Sequence, residues 1–137
     1  MTDFLFKTEP SDYSFADLLR QGSSTWDGVR NPAALKTMRE IKKGDRVFIY
    51  HTGDEKAVCG VARAVSEAYP DPQQPEGGPL VVVDLVPVGT IPNPVPLSAI
   101  KADPEFAASP LVRQGRLSVV RLSPAQAARI EKLGAGR

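Results

Sequence analysis

The sequence predicts an α+β fold, within the broad α/β class, built on one curled antiparallel or mixed sheet. Strand-like segments follow one another through short turns, with helices appended, and do not alternate with long helices as in a doubly wound parallel sheet. The thirteen prolines fall largely in loops, which suits a compact, curled sheet. At 137 residues, the chain (1–137) is expected to form a single domain that buries about two-thirds of its unfolded surface without a disulfide or a metal.

One strand and two helices are predicted in the N-terminal third. The strand, 3–7, is short and rich in aromatic residues. A helix over 14–21 begins with a Ser-x-x-Asp capping box and ends at Gly22. Asn31 and Pro32 form a favourable cap and first position for a second helix. Its inward face would carry Leu35, Met38 and Ile41, and its outward face Lys36, Arg39 and Lys43.

Four more strands and two helices are predicted along the rest of the chain. The strands are 46–51, 57–67, 80–88 and 117–122, and the helices are a weak one from about 97 and a C-terminal one from 124 to Gly134, with Ala127, Ile130 and Leu133 inward. Gly60 predicts a bulge or bend. The apolar run 80–88 predicts a strand buried on both faces. The segments 68–79 and 89–96, rich in proline and glycine, are predicted loops.

Composition indicates a soluble protein of the cytoplasm. The N-terminus carries charge within its first few residues and lacks the apolar run of a signal peptide. No stretch reaches the roughly 20 apolar residues that a membrane span needs. The single cysteine excludes an internal disulfide and a cysteine-rich zinc site. We expect a monomer with no membrane association.

Charge is distributed unevenly, although the formal net charge is only +1. Segment 30–46 holds six basic and two acidic residues, and segment 111–132 holds five basic and one acidic. Between them, segment 53–110 holds three basic and eight acidic residues. If the two basic segments met in space, they would form a local positive patch suited to nucleic acid. The alternative is that both are merely solvated surfaces.

Enzyme signatures are absent from the sequence. The sole histidine, His51, belongs to no nucleophile motif, and Cys59 lies in apolar company within a predicted strand. There is no glycine-rich phosphate loop, no dinucleotide fingerprint and no paired-histidine metal motif. We therefore expect no catalytic residue, no metal and no cofactor, and interpret His51 as a hydrogen-bonded structural residue or a pocket wall.

Residues 26–39 contain what a nucleobase site needs. Trp26 offers an aromatic face for stacking, and Asn31 presents an amide donor and acceptor to a base edge. Arg30, Lys36 and Arg39 are candidates to hold a phosphate. The alternatives are that Trp26 is a core aromatic and that Asn31 only caps a helix.

Five separated blocks resemble the EVE domain family: FLFKTEPSDYSF at 4–15, TWDGVRNP at 25–32, KKGDRVFIYHT at 42–52, GVARAVSEAYPDP at 60–72 and PLVRQGRLSV at 110–119. The match runs in order along essentially the whole chain. The resemblance implies a PUA-like fold, a small, curled, mostly antiparallel β-barrel flanked by short helices and related to the YTH readers of methylated adenine in RNA. It also implies a binding module for modified bases, chiefly modified cytosine in DNA.

The resemblance also implies a set of site residues, which joins the residues nominated above. The base pocket would be formed by Phe6, Lys7, Trp26, Asp27, Asn31, Tyr50, His51 and Ser118, and Glu9 stands with Phe6 and Lys7 in the first-strand block that the resemblance assigns to the pocket. Phosphates would be held by Arg30, Lys36, Arg39, Arg113, Gln114 and Arg116. Two positions depart from the family pattern: Pro-Ala-Ala-Leu follows Asn31 where x-Q-A-R is usual, and Gly115 stands where serine is common.

The leading hypothesis is a non-catalytic module whose partner is nucleic acid carrying a modified base, with DNA favoured over RNA. Two alternatives stay open at this point. One is an RNA-binding module that recognises a modified nucleotide. The other is a sensor or enzyme that uses the same pocket for a free nucleoside or an anion.

Overall fold

The computed structural model describes residues 1–135, and it has the mixed α+β architecture that the sequence predicts. Within this part of the chain there are seven strands: β1 Asp3–Thr8, β2 Ser24–Trp26, β3 Arg46–His51, β4 Ala57–Ala64, β5 Tyr69–Pro70, β6 Val81–Pro96 and β7 Val119–Leu122. The helices are α1 Phe15–Gln21, α2 Pro32–Met38, α3 Leu97–Ala102, α4 Pro110–Arg113 and α5 Pro124–Leu133, with a 3-10 turn at Pro104–Phe106.

The strands form one curled half-barrel in the order β2-β6-β4-β3-β1-β7, and β5 pairs with β6 outside this path. Every pairing is antiparallel except that of β1 with β3. The parallel pair arises because α1, β2 and α2 lie between these two strands in the sequence, which leaves room for the crossover that parallel strands require. Helix α2 packs against β7 at one edge.

The hydrophobic core lies along β1 and β3. Phe4, Leu5 and Phe6 are wholly buried, and 47–49 are buried likewise. Of the inward positions predicted for the helices, Leu35, Met38, Ile41, Ala127 and Ile130 are buried and Leu133 is half-buried. No helix within residues 1–135 has the length and apolar character to cross a bilayer.

Helix starts follow the predicted capping chemistry. Ser14 and Asp17 form a reciprocal capping box at α1, and Gly22 ends that helix with a left-handed φ of 76°. The Asn31 side chain caps α2, with Pro32 at its first position. Ser123 and Gln126 form a second capping box at α5. Local sequence is therefore sufficient to set these boundaries.

The largest correction concerns β6, which continues through 89–96, a segment predicted to be a loop. A loop was predicted from the prolines of this segment, because proline cannot donate a hydrogen bond to a β ladder. In the structure, β6 pairs with β2 and β5 only up to Leu85 and beyond that point pairs with β4 alone. The later prolines therefore stand where one side of the strand has no neighbour, and strand geometry tolerates them there.

Other differences from prediction are local. The first half of β6 is not buried on both faces, since Asp84 is half-buried and Val88 is 60% exposed. Strand β4 ends at Ala64, earlier than the predicted 67. The short elements β2, β5 and α4 were not predicted, because segments of two to four residues carry too little periodicity to be recognised.

Gly60 marks a bulge, as predicted. Strand β4 changes register at this point in its pairing with β3 and in its pairing with β6. In the pairing with β3, Cys59 lies between Val58 and Gly60 and has no partner residue. The cause is close approach: a Cβ atom on Gly60 would lie 2.5 Å from ring carbons of Phe15, which is itself buried. Glycine thus lets α1 rest directly on the sheet.

We expect Gly60→Ala to lower the free energy of unfolding by about 1–3 kcal/mol, because the added methyl overpacks the contact with Phe15. Urea unfolding followed by the fluorescence of Trp26 measures this. The matched control is Gly89→Ala in β6, where an added Cβ meets nothing within 4 Å. We expect the control to keep or slightly raise stability, by up to about 1 kcal/mol. Equal stability of the two variants would contradict the close-packing explanation.

Candidate nucleic-acid interface

A cavity of about 580 Å³ opens where the end of β1 meets β2 and the turn that follows it. Its walls come from four parts of the chain: the end of β1 with the loop to α1, the end of α1, the segment 24–30, and the residue before β7. The lining residues are Lys7, Thr8, Glu9, Asp12, Tyr13, Gln21, Ser24, Thr25, Trp26, Asp27, Gly28, Val29, Arg30 and Ser118. We call it the Trp26 cavity.

Trp26 is both a core residue and a wall of this cavity. Pairing of β2 with β6 places it opposite Val83, and it is only 8% exposed. Its ring centroid lies 5.5 Å from that of Phe6, with the rings tilted at 49°, and 5.8 Å from that of Tyr13, which meets it edge-on. Gly28, with φ of 80°, then turns the chain away. Trp26 is therefore a core aromatic that also lines a cavity, and its role in stacking a base stays a prediction.

The charges around the cavity are mixed. Three carboxylates, those of Glu9, Asp12 and Asp27, face two cations, Lys7 and Arg30. Such a wall favours a ligand that offers N–H donors as well as acceptors, and it disfavours a bare anion.

Glu9 is held in place by its surroundings. Its carboxylate accepts hydrogen bonds from the hydroxyls of Ser11 (3.3 Å) and Thr52 (3.5 Å). A Cβ atom at Gly53 would lie 3.0 Å from Glu9 Oε2, so the carboxylate rests on a glycine that has φ of 76°. These contacts hold the carboxylate in place, and Glu9 is one of the residues that line the cavity.

Lys7 is held by two contacts and lines two cavities. Its Nζ donates to the carbonyl of Gly115 at 2.9 Å and lies 5.6 Å from the centroid of the Tyr50 ring. Burial lowers the pKa of the Lys7 ammonium and raises the pKa of the Tyr50 hydroxyl. Lys7 lines the Trp26 cavity and also a smaller cavity on its other side.

The residues predicted for the base pocket are only partly brought together. Lys7, Trp26, Asp27 and Ser118 line the Trp26 cavity. Phe6 lies behind Trp26 and is wholly buried. Tyr50 lines the smaller cavity. Asn31 is exposed at the start of α2, where its side-chain oxygen accepts from the N–H groups of Ala33 (2.8 Å) and Ala34 (3.1 Å).

His51 has a structural role. It is 7% exposed, and its Nε2 accepts a hydrogen bond of 3.0 Å from the backbone N–H of Phe15. That bond leaves the proton of a neutral ring on Nδ1, which lies 3.0 Å from Glu55 Oε1. The ring thereby joins β3 to the start of α1.

The residues predicted to hold phosphates are spread over the surface. Arg30 lines the Trp26 cavity, and Lys36 and Arg39 lie on and just after α2, where Arg39 donates to the carbonyl of Pro79 at 2.6 Å. Three lie on and after α4, namely Arg113, Gln114 and Arg116. Arg113 Nε donates to the carbonyl of Ala107 at 2.9 Å. Arg116 is exposed between Gly115 and Ser118, which border the two cavities.

Sequence reasoning missed several cavity residues, of which Tyr13 matters most. It lies in the block FLFKTEPSDYSF, as does Glu9, which the family resemblance names. Tyr13 contacts Trp26 and donates its hydroxyl to Gln21 at 2.7 Å. Tyr13 was not nominated, because the loop that returns it to Trp26 has no periodicity to reveal this contact.

The structure offers no activated nucleophile at Cys59. Burial raises the pKa of its thiol to about 12, so the thiolate is scarce at neutral pH. Within residues 1–135, no group of three or more His, Cys, Asp or Glu side chains is placed to hold a metal ion.

Comparison with known proteins gives a consistent set of relatives. Human thymocyte nuclear protein 1 is 38% identical over 83 residues, which are 52% of this chain and 37% of that protein. The chain therefore matches little more than a third of that relative's length. The solution structure of Rpa0253 from Rhodopseudomonas palustris is 35% identical, with a TM-score of 0.91 over 98% of this chain and 93% of that one.

Two further solved structures bear on ligand and fold. Human THYN1, solved in complex with 5-methylcytosine-containing DNA, is 26% identical, with a TM-score of 0.89 and 98% of each chain covered. ASCH from Zymomonas mobilis, 17% identical over 96% of this chain and 95% of that one, has a TM-score of 0.60 and shares the fold alone. The EVE domain matches residues 2–133, almost the whole chain. This chain is a member of the EVE domain family.

Proposed function

We propose that this protein is a non-catalytic DNA-binding domain that reads a modified cytosine, which enters the Trp26 cavity. The observation that carries the proposal is the cavity itself, with aromatic walls, carboxylate acceptors and only two cations. The complex of human THYN1 with 5-methylcytosine-containing DNA supports DNA as the partner and 5-methylcytosine as the first modification to test.

Size and lining suit a single base. A volume of about 580 Å³ lies within the range of about 300–1,000 Å³ that is usual for small-ligand sites. Trp26, Tyr13 and Val29 provide apolar contact on one side. Because Trp26 is only 8% exposed, it offers part of its ring, and we expect stacking near the lower end of the usual 1–3 kcal/mol per base.

Polar groups can read the edge of cytosine. Its N4 amino group is a donor that Asp and Glu accept, and Glu9 presents such an acceptor. The acceptors of the ring would be met by Lys7 and the hydroxyl of Ser118. Thymine has a carbonyl oxygen in place of the amino group, so Glu9 disfavours it.

The charge of the cavity also argues that a base, and not a phosphate, occupies it. Three carboxylates would repel a phosphate at short range. Phosphates would lie outside, near exposed cations such as Arg30 and Arg116. The same argument weighs against an anion sensor that uses this cavity.

Selectivity for the modification is expected to be modest. A methyl group that fills an apolar niche adds about 1–3 kcal/mol, and extrusion of a paired base costs a few kcal/mol whether or not it is modified. Discrimination must therefore arise where the methyl meets the apolar wall formed by Val29 and Trp26.

The first prediction uses the chain's single tryptophan as a reporter. A DNA strand with one 5-methylcytosine should quench Trp26 emission, because the base enters beside the ring. We expect it to bind about 5- to 150-fold more tightly than the unmodified strand at fixed salt, the range that 1–3 kcal/mol represents. Fluorescence titration gives both dissociation constants.

Three comparison ligands decide between the alternatives in the same titration. The corresponding methylated RNA strand tests RNA binding, and tighter RNA binding would reverse the preference proposed here. Free 5-methyl-2′-deoxycytidine tests a nucleoside sensor, which would bind it as tightly as the strand. Equal affinity for modified and unmodified DNA would overturn modified-base reading.

The second prediction concerns Glu9→Gln, which keeps the shape of the side chain and removes its charge. We expect affinity for the 5-methylcytosine strand to fall by about 10- to 150-fold, because hydrogen bonds to a charged group contribute about 1.5–3 kcal/mol. A thymine strand, which offers an acceptor in place of the amino group, should lose much less, so the preference for methylcytosine over thymine narrows.

The matched control is Glu67→Gln, which removes the same charge at an exposed residue outside the cavity. The control should bind both strands as the unaltered protein does. If Glu9→Gln weakens both strands equally, Glu9 does not read the amino group. Thermal unfolding of both variants shows whether the fold is intact.

A further inference from the structure

A second cavity, of about 220 Å³, shares Lys7 with the Trp26 cavity. It lies among the ends of β1 and β3, the turn between β3 and β4, helix α3 and the segment 111–115. We call it the lysine cavity. None of the residues nominated from the sequence as phosphate-binding lines it.

Three cations converge on the lysine cavity: Lys7, Lys56 and Lys101. None of its ten lining residues, all within the described part of the chain, is acidic. The nearest carboxylate in sequence, that of Glu55, is held 3.0 Å from the Nδ1 of His51. Across residues 1–135, none of the three lysines forms an ion pair. The three ammonium groups therefore lie together without a direct ion pair. The Glu9 carboxylate contacts Thr52 and Gly53 of the lining, and Glu55 lies beside Lys56 and Lys101 in a neighbouring cavity.

The backbone at Lys56 is strained. Its φ is 44°, and within residues 1–135 it is the only residue other than glycine with a positive φ. Such conformations are unfavourable, persist where neighbouring structure enforces them, and cluster at functional sites. Here the carbonyl of Lys56 accepts a 2.7 Å hydrogen bond from the N–H of Leu97, the first residue of α3. That bond ties the turn to the helix.

The same bond sets Lys56 and Lys101 beside one cavity. Leu97 and Lys101 are four residues apart on α3, so they share a face of that helix. Fixing the turn at the start of α3 therefore brings the two lysines to the same opening. Tyr50 forms part of its floor, and within the described residues its hydroxyl has no hydrogen-bond partner. The site presents a free phenolic donor together with ammonium groups.

We propose that the lysine cavity binds a phosphodiester group of the strand whose base occupies the Trp26 cavity. This inference rests on the proposed function. Lys7 belongs to both cavities, so a phosphate on one side of it lies next to a base on the other. The charges agree: three carboxylates line the Trp26 cavity, whereas the lining of the lysine cavity has three lysines and no acidic residue.

The test removes two of the lysines and leaves Lys7, which also contacts Gly115, in place. The variant is Lys56→Asn/Lys101→Gln, since asparagine tolerates a left-handed backbone. The control is Lys43→Gln/Lys132→Gln, which removes the same charge at exposed lysines that line neither cavity. Lys43 lies just before β3, and the lysine cavity lies at the opposite end of that strand. The two ends of β3 are about 17 Å apart at about 3.3 Å per residue. Thermal unfolding confirms that both variants fold.

Two single-stranded DNA probes are titrated between 50 and 200 mM salt, one with a central 5-methylcytosine and one abasic at that position. For the test variant, we expect the slope of log affinity against log salt to be shallower by about 0.7, the value for one phosphate contact on a single strand. Both probes should weaken by the same factor, since a phosphate contact does not depend on the base. The control should keep the slope of the unaltered protein.

The outcomes separate this inference from the proposed function. If test and control variants behave alike, the phosphate site is overturned even where methylcytosine is preferred. If the slope changes but modified and unmodified strands bind equally, the phosphate site stands and base reading fails. If inorganic phosphate shifts the amide NMR signals of Lys56 and Lys101 while no strand binds, the cavity holds free anions and the strand path is overturned. If neither DNA probe nor inorganic phosphate binds, the phosphate site is overturned as well.

Discussion

The parallel pairing of β1 with β3 is the constraint on which the rest of the structure depends. The first half of β1 is buried as Phe4-Leu5-Phe6, which fixes the strand in the core. The register of the pair then sets Lys7 opposite Tyr50 and Thr8 opposite His51 at the point where the strand reaches the surface. A single buried strand thus positions the cation that both cavities share.

The double role of Trp26 follows from that arrangement. A fully exposed ring would bind bases more strongly, but it would leave Phe6 and Tyr13 without their aromatic neighbour. Burial keeps the ring fixed before any ligand arrives, which reduces the ordering cost of binding. The ring therefore offers less stacking area but a fixed position. In the proposed binding mode, the polar groups around the ring distinguish cytosine from other bases, and the apolar wall distinguishes the methylated base from the unmodified one.

Much of the fold was predictable because its signals are local. Capping residues marked α1, α2 and α5, and the apolar runs marked β1, β3 and β4. The extension of β6 was not predictable, because its prolines are tolerated only where a neighbouring strand is missing, which is a property of the sheet as a whole. Spacing also cannot show that Glu9 rests against Gly53, 44 residues later, or that Lys56 and Lys101 share a cavity.

The separation of charge between the cavities bears on how a nearly neutral protein can bind DNA. A formal net charge of +1 gives little long-range steering, so non-specific association should be weak at physiological salt. In the proposed binding mode, binding energy then comes from two short-range contacts made together, a base beside Trp26 and a phosphate beside the lysines. Either contact alone is small. Requiring both at once restricts stable binding to strands whose base can leave the stack, which is a form of selection that a strongly basic surface would mask.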